Sequence, residues 1–131
     1  MYDTLSEKIN YLKILILVKI FNTWRKNIMM HNYISIGDFN NLKQTGRKAV
    51  IVRNVTSKDI DEYINNCIIT MQNCNVDTNL FMQPRVLKEN NTINIVFMIR
   101  AYANDKIRSL QGMQGLSYWI QNMGNVVLIN S

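Results

Sequence analysis

From residue 48 onward, segments with the hydrophobic pattern of a strand alternate with segments that have the pattern of a helix. The order of these predicted elements constrains the fold most. Lys48 to Asn54 is a short β-branched run that predicts a strand. From Ile60 to Met71 apolar residues recur at i, i+3, i+4, i+7, i+8 and i+11, which predicts a helix with one buried face. The preceding residues, Thr56 to Asp59, offer a capping box for that helix.

Three more strands and a second helix are predicted in the rest of the chain. Leu80 to Leu87 predicts a strand whose proline restricts it to a sheet edge or a bulge. Thr92 to Tyr102 is the strongest strand pattern in the sequence. Asn104 to Met123 predicts a helix weakened by two internal glycines, and Asn125 to Asn130 predicts a final strand.

The order β-α-β-β-α-β predicts an α+β fold with a ferredoxin-like split βαβ core. In that arrangement two right-handed crossovers place both helices on one face of a four-stranded sheet. We therefore expect three parts: a basic amphipathic N-terminal helix in residues 1–31, a linker in residues 32–47 and the α+β domain in residues 48–131. The linker is expected to be irregular because it is rich in glycine, aspartate and asparagine.

The N-terminal helix pattern runs from Leu5 to Met30 and is the longest in the chain. Lys8, Lys19 and Lys26 fall on one side of it, whereas Lys13 lies within the apolar arc and would have to extend its ammonium group to water. This helix either covers the open face of the sheet or extends to a partner. The apolar face contains Ile9, Ile16, Leu17, Ile20, Phe21, Trp24 and Ile28.

The net charge of +6 is concentrated in the N-terminal part of the sequence. Residues 1–57 contain nine Lys and Arg and three Asp and Glu, whereas residues 58–131 contain six of each class. Such asymmetry indicates a polyanionic partner, since clustered basic side chains bind phosphate without regard to sequence. The residues predicted to contact phosphate are Lys8, Lys13, Lys19, Arg25, Lys26, Lys43, Arg47, Lys48 and Arg53.

The sequence contains few of the residue patterns that catalysis or metal binding requires. His31 is the only histidine and is expected to be solvated in the linker, and no zinc or phosphate-loop motif is present. Cys67 and Cys74 are about 10 Å apart along one predicted helix, too far for a disulfide, and read as small core residues. Asp59, Asp61 and Glu62 are explained by the positive end of a helix dipole. We expect no cofactor, no metal site and no enzymatic activity.

The last 23 residues contain no charged side chain. They are too polar for a membrane span, and we expect them either to be buried against the N-terminal helix or to form a subunit contact. Such a contact would allow a homo-oligomer. The residues predicted to bind a partner are Leu17, Phe21 and Trp24 of the helix, with Tyr118 and Trp119 of the C-terminal segment.

These patterns favour a non-catalytic RNA-binding protein, a small structural component of a ribosome-like or other ribonucleoprotein assembly. Several small ribosomal proteins have a similar architecture, a ferredoxin-like core with a basic extension, although no sequence motif is shared. The alternative is a protein-interaction module that docks through its N-terminal helix and its uncharged C-terminal face. An intracellular location is expected because no secretory signal is evident. The 19 Asn and 18 Ile residues suggest an A/T-rich genome, as of an organelle, a virus or an A/T-rich bacterium.

Overall fold

The computed structural model describes residues 7–17, residue 19 and residues 31–131. The chain divides into two units, Met1–Met30 and His31–Ser131. In the first unit, helix α1 covers residues 7–17, residue 19 is also helical, and every side chain of residues 7–17 is exposed. The rest of the helix expected from Leu5 to Met30 lies outside the described residues. None of the described helices combines the length and the apolar character needed to cross a membrane.

The second unit is an α+β structure built on a mixed five-stranded sheet. Its elements are, in chain order, β1 (Asn32–Tyr33), α2 (Ile36–Gln44), β2 (Ala49–Val52), α3 (Ile60–Asn73), a 3₁₀ turn (Thr78–Leu80), β3 (Arg85–Glu89), β4 (Thr92–Met98), α4 (Ala101–Asn104), α5 (Leu116–Met123) and β5 (Val126–Ile129).

The strands lie in the order β1-β3-β4-β2-β5. Only the β1–β3 pair is parallel, and the β3–β4, β4–β2 and β2–β5 pairs are antiparallel. In register, Val50 lies between Phe97 of β4 and Leu128 of β5. The β-branched run of β2 therefore occupies the interior of the sheet, as its continuous apolar sequence requires.

The larger core lies on the sheet face covered by α3 and α5. Alternate residues of β4, Ile95 and Phe97, belong to this cluster, as do Cys67 of α3 and Trp119 of α5. The Trp119 indole Nε1 donates a hydrogen bond to Thr70 Oγ1 at 3.0 Å, which joins the two helices. The helical period predicted from Ile60 to Met71 thus describes α3 and the side that it buries.

Helix α2 covers the opposite face of the sheet. Phe39 is buried against a cluster that includes Ile51, Leu87 and Val96 of three neighbouring strands. Ser35 caps the helix by accepting a hydrogen bond from the Asp38 backbone N–H at 3.1 Å. This segment differs from the irregular linker expected for residues 32–47, because α2 and β1 form part of the second unit.

The second predicted helix is shorter than its sequence pattern. α4 ends at Asn104, turns follow, and α5 begins only at Leu116. Gly115 has φ of +77°, and a Cβ built there would lie 1.8 Å from the Cys74 carbonyl oxygen. The chain therefore passes against the end of α3 at a point that only glycine fits, and a continuous helix is interrupted.

Candidate nucleic-acid interface

The strand directions bring basic side chains from distant parts of the sequence to one end of the sheet. Antiparallel pairing places the start of β2 and the end of β4 together, and β3 starts at that same end. α2 ends there too, since the Asn130 amide donates hydrogen bonds to the carbonyls of Lys43 and Arg47. We call this region the basic end and define it by Lys43, Arg47, Lys48, Arg85, Arg100, Lys106 and Arg108.

Acidic side chains are few at the basic end and numerous at the opposite one. Asp77 and Asp105 lie at the basic end, which therefore has a net charge of +5 from seven basic and two acidic residues. The opposite end, the acidic end, has a net charge of −2 from three basic and five acidic residues. Its members are Arg53, Lys58 and Lys88 with Asp38, Asp59, Asp61, Glu62 and Glu89. Charge in the second unit is therefore separated along the strand direction.

Two residues of the basic end are held by backbone carbonyls. Arg47 Nη1 donates to the Ile99 carbonyl at 2.9 Å. Lys48 Nζ donates to the Asn104 carbonyl at 2.6 Å and also to the Ile107 carbonyl. Because these carbonyls lie just after β4, at the end of α4 and just after α4, the two cations fix that turn of the chain. They add positive potential to the basic end, but their head groups are already engaged.

The exposed cations around this pair are better placed to contact a polyanion. Lys106 and Arg108 are exposed in the turns after α4. Lys43 is exposed, with Nζ 4.8 Å from the centroid of the Phe39 ring. Arg100 is also exposed, and its Nε donates to the Asn79 carbonyl at 2.9 Å, which orients the guanidinium group. These four side chains can contact phosphate while Arg47 and Lys48 support the surface beneath them.

The predicted phosphate-binding residues do not all meet at this site. Lys43, Arg47 and Lys48 lie at the basic end, whereas Arg53 lies at the acidic end, where its carbonyl accepts a hydrogen bond from the Asn125 amide. On α1, Lys8 and Lys13 are exposed, and residue 19 is helical. Arg25 and Lys26 lie outside the described residues.

The charge count by sequence segment did not identify four members of the basic end: Arg85, Arg100, Lys106 and Arg108. They belong to residues 58–131, whose net charge is zero. The acidic residues that cancel them in that sum lie mainly at the other end of the sheet, as Asp59, Asp61 and Glu62 do in the first turn of α3. The predicted strand order, combined with the alternation of strand direction, was the signal that could have separated the two groups.

The predicted partner-binding residues have different environments. Leu17 and Tyr118 are exposed by 63% and 64% of their surface. Trp119 is 1% exposed, so its ring belongs to the core, which differs from the expectation that it anchors a partner. Phe21 and Trp24 lie outside the described residues.

His31 joins β1 to α3 and is not the solvated linker residue that was expected. Its Nδ1 lies 3.0 Å from Asp61 Oδ1, and its Nε2 lies 2.8 Å from the Tyr33 hydroxyl oxygen. Lys88 Nζ lies 5.0 Å from the centroid of the Tyr33 ring. The short edge strand β1 is thus tied by its side chains to the first turn of α3 and to β3.

The cysteines and acids do not form a recognisable metal centre in the part of the chain that the structure describes. No group of three or more His, Cys, Asp or Glu side chains converges there. Cys67 and Cys74 are both free. Burial in the core raises the pKa of the Cys67 thiol to about 11, which keeps it protonated and poorly nucleophilic at neutral pH.

Comparison of the chain with protein-family models, with curated proteins and with solved structures gave no match. A functional proposal therefore depends on the geometry and charge of the chain itself.

Proposed function

We propose that the chain is a non-catalytic RNA-binding protein that contacts the phosphate backbone through the basic end of its sheet. The observation that carries the proposal is the charge separation in the second unit, +5 at one end and −2 at the other. A localised basic surface attracts a polyanion more effectively than the same charge spread evenly, because its potential adds up at one place. The exposed lysines of α1, Lys8 and Lys13, would contribute further phosphate contacts.

Because helices cover both faces of the sheet, RNA would contact the end of the sheet and not one of its faces. RNA-recognition modules of similar strand order stack bases on aromatic residues of an open sheet face. Here α2 packs on that face, and Phe97 points into the opposite core. Recognition would therefore depend chiefly on phosphate contacts, which makes it weakly selective for sequence and strongly dependent on salt.

We also infer that the elements from β2 onward form the split βαβ arrangement. The order β5-β2-β4-β3 with antiparallel neighbours supports this interpretation, as does the packing of α3 and α5 in one core cluster. β1 and α2 would then be additions to the split core, one at its edge and one on its open face. A basic extension before such a core is the architecture on which the ribonucleoprotein interpretation rests.

The proposal is tested by a pair of charge-reversal variants with equal change in net charge. One carries Lys106→Glu with Arg108→Glu at the basic end, and the matched control carries Arg53→Glu with Lys58→Glu at the acidic end. Affinity for a mixed single-stranded RNA is measured by fluorescence anisotropy over a salt series. Four exposed cations predict a log–log slope of about −3 for the unaltered chain, steepened by any contact from α1. Melting temperatures measured by circular dichroism confirm that both variants are folded.

We expect the basic-end variant to bind at least about tenfold more weakly and to lose about 1.4 from the slope, since two phosphate contacts are removed. The acidic-end control should bind with nearly unchanged slope. Equal weakening in both variants would show that affinity follows net charge and not this surface. A flat salt response of the unaltered chain would refute the RNA proposal altogether.

A second candidate, docking on a protein partner through α1, is favoured by the exposed apolar residues of that helix. Ile9, Leu12 and Leu17 are among them, exposed by 44%, 56% and 63% of their surface. Large apolar side chains that are exposed together are typical of a surface that a protein partner covers. Leu12→Asp with Leu17→Asp should then abolish assembly with the partner while the salt-dependent RNA affinity of the basic end is kept.

A further inference from the structure

An exposed aromatic side chain, Tyr102, lies between Arg100 and Lys106 of the basic end. Tyr102 is the second residue of α4 and is exposed by 60% of its surface, whereas the next residue, Ala103, is buried in the larger core. The tyrosine ring is therefore on the outer side of a helical turn whose inner side is packed. Phosphate contacts by themselves make no use of such a ring.

The turn that carries Tyr102 is held by hydrogen bonds on both sides. Before it, the Arg100 backbone N–H donates to the Leu80 carbonyl at 2.8 Å. After it, Asn104 Oδ1 accepts a hydrogen bond from the Lys48 backbone N–H at 2.8 Å, and the Asn104 carbonyl accepts one from Lys48 Nζ. The ring is thus presented on a backbone that is ordered before a ligand arrives, which lowers the entropy lost on binding.

Exposed cations flank the Tyr102 ring. The Ile107 backbone N–H donates to the Ala103 carbonyl at 3.1 Å, which is the spacing of an α-helical hydrogen bond, so the chain keeps turning beyond α4. Lys106 therefore follows Tyr102 by four residues on the same side of this turn. Residues 100–108 have a net charge of +2, from three basic residues and one acidic residue: Arg100, Lys106, Arg108 and Asp105.

The combination of an aromatic ring and flanking cations indicates the chemistry of the ligand. A nucleotide in a single strand has a flat base that stacks on an aromatic ring and a phosphate that pairs with a cation. In a duplex the faces of the bases are already stacked on each other. An apolar peptide would cover the ring but leave Arg100 and Lys106 without counter-charges.

We propose that Tyr102 stacks on an unpaired base, which gives the basic end a contact to single-stranded RNA that duplex RNA cannot make. This inference rests on the proposed function, because the flanking cations hold the strand by its phosphates while the base lies on the ring. Every base has a π face, so the stacking accepts any base. It adds affinity without adding a phosphate contact and therefore changes the dissociation constant but not the slope of its salt dependence.

The test uses the full chain and two single-stranded probes of equal length, an oligouridylate and an abasic strand with the same phosphates. Fluorescence anisotropy over a salt series gives the dissociation constants and slopes. Tyr102→Ala should bind the oligouridylate at least about fivefold more weakly than the unaltered chain does, with an unchanged slope. Its affinity for the abasic strand, and for a duplex of the oligouridylate with oligoadenylate, should be unchanged.

Two further variants show whether the ring and its position matter. Tyr102→Phe keeps the ring and should bind both single strands as the unaltered chain does. Tyr118→Ala removes a ring of similar exposure, 64%, from the segment without charged side chains, and should also leave both affinities unchanged. Melting temperatures measured by circular dichroism confirm that all three variants are folded.

The outcomes separate failure of the stacking from failure of the proposed function. Steep salt dependence on both probes with no loss of oligouridylate affinity in Tyr102→Ala would overturn the stacking but leave the phosphate contacts standing. Equal weakening of Tyr102→Ala on both probes, or equal losses in Tyr118→Ala and Tyr102→Ala, would also overturn it. A Tyr102→Phe variant as weak as Tyr102→Ala would assign the effect to the hydroxyl group and refute stacking. A flat salt response on both probes would refute the RNA function and the stacking together.

Discussion

The replacement of Gly115 by alanine measures how closely the turn before α5 approaches the end of α3. Gly46, Gly115 and Gly124 share a φ of +77°. An L-residue in this region costs roughly 1–2 kcal/mol, so all three alanine variants lose about that much. At Gly46 and Gly124 a Cβ would meet nothing within 4 Å. At Gly115 it would lie 1.8 Å from the Cys74 carbonyl oxygen and 2.9 Å from its carbon.

The additional cost at Gly115 arises because the atoms in the way are backbone. The end of α3 or the turn must shift, and forced displacement of a packed segment costs about 1–3 kcal/mol or more. We therefore expect Gly115→Ala to lower the free energy of unfolding by about 2–5 kcal/mol in total, and Gly46→Ala and Gly124→Ala by about 1–2 kcal/mol.

Urea denaturation followed by far-UV circular dichroism provides the assay. With midpoints converted through a common m-value, Gly115→Ala should unfold at a clearly lower urea concentration than either control. Equal midpoints for Gly115→Ala and Gly124→Ala would show that the close passage against Cys74 is absent. The account of why the predicted second helix is interrupted would then be wrong.

Three other changes test separate parts of the fold. Phe39→Ala should lower the free energy of unfolding, measured by urea denaturation, by about 3 kcal/mol or more, because Phe39 fills the core beneath α2. The control Ile36→Ala, on the exposed side of α2, should change it by under about 1 kcal/mol. Asp59→Ala should cost about 1 kcal/mol, since the Asp59 carboxylate accepts the Glu62 backbone N–H at 3.1 Å; an unchanged melting temperature would exclude this cap. Because the pKa of the Cys67 thiol is raised, the folded state binds this proton more tightly than the unfolded state does. The free energy of unfolding should therefore fall as the pH rises from about 9 to about 11. Cys67→Val has no thiol at this position, and its free energy of unfolding should fall less over the same pH range.

The sequence predicted best those elements whose burial follows a regular pattern, on one side in α3 and on both faces in β2. α3 follows its apolar period closely, with Ile64, Cys67 and Met71 buried. β2 was recognisable because a continuous β-branched run is typical of an internal strand. In both elements the residues that the sequence pattern predicts to be buried are buried in the structure.

α2 could not be predicted in this way because its sequence has little helical pattern. Phe39 is its only buried residue, and glycine, aspartate and two asparagines give the segment the composition of a turn. The helix depends on the Ser35 cap and on the sheet against which Phe39 packs. Tertiary packing thus outweighs local propensity here.

The candidate site was predicted only in part, for a related reason. Lys43, Arg47 and Lys48 were identified from their position in a basic segment, but Lys106 and Arg108 lie in a segment with no net charge. Their proximity to the start of β2 is created by the return of the chain through β4. The charge sum along the sequence does not show this proximity, whereas the pairing of the strands does.

The covering of the sheet on both faces has a consequence for the order in which the molecule opens. The layer under α2 is the smaller of the two cores and rests on one short helix, whereas the other includes α3, α5 and most of the large buried side chains. Local opening should therefore begin with α2, and its amide protons should exchange with solvent earlier than those of β2 and β4. The inner strands, enclosed by both layers, would exchange only when the whole unit unfolds. Hydrogen exchange would then resolve the second unit into an outer layer added to a more stable inner one.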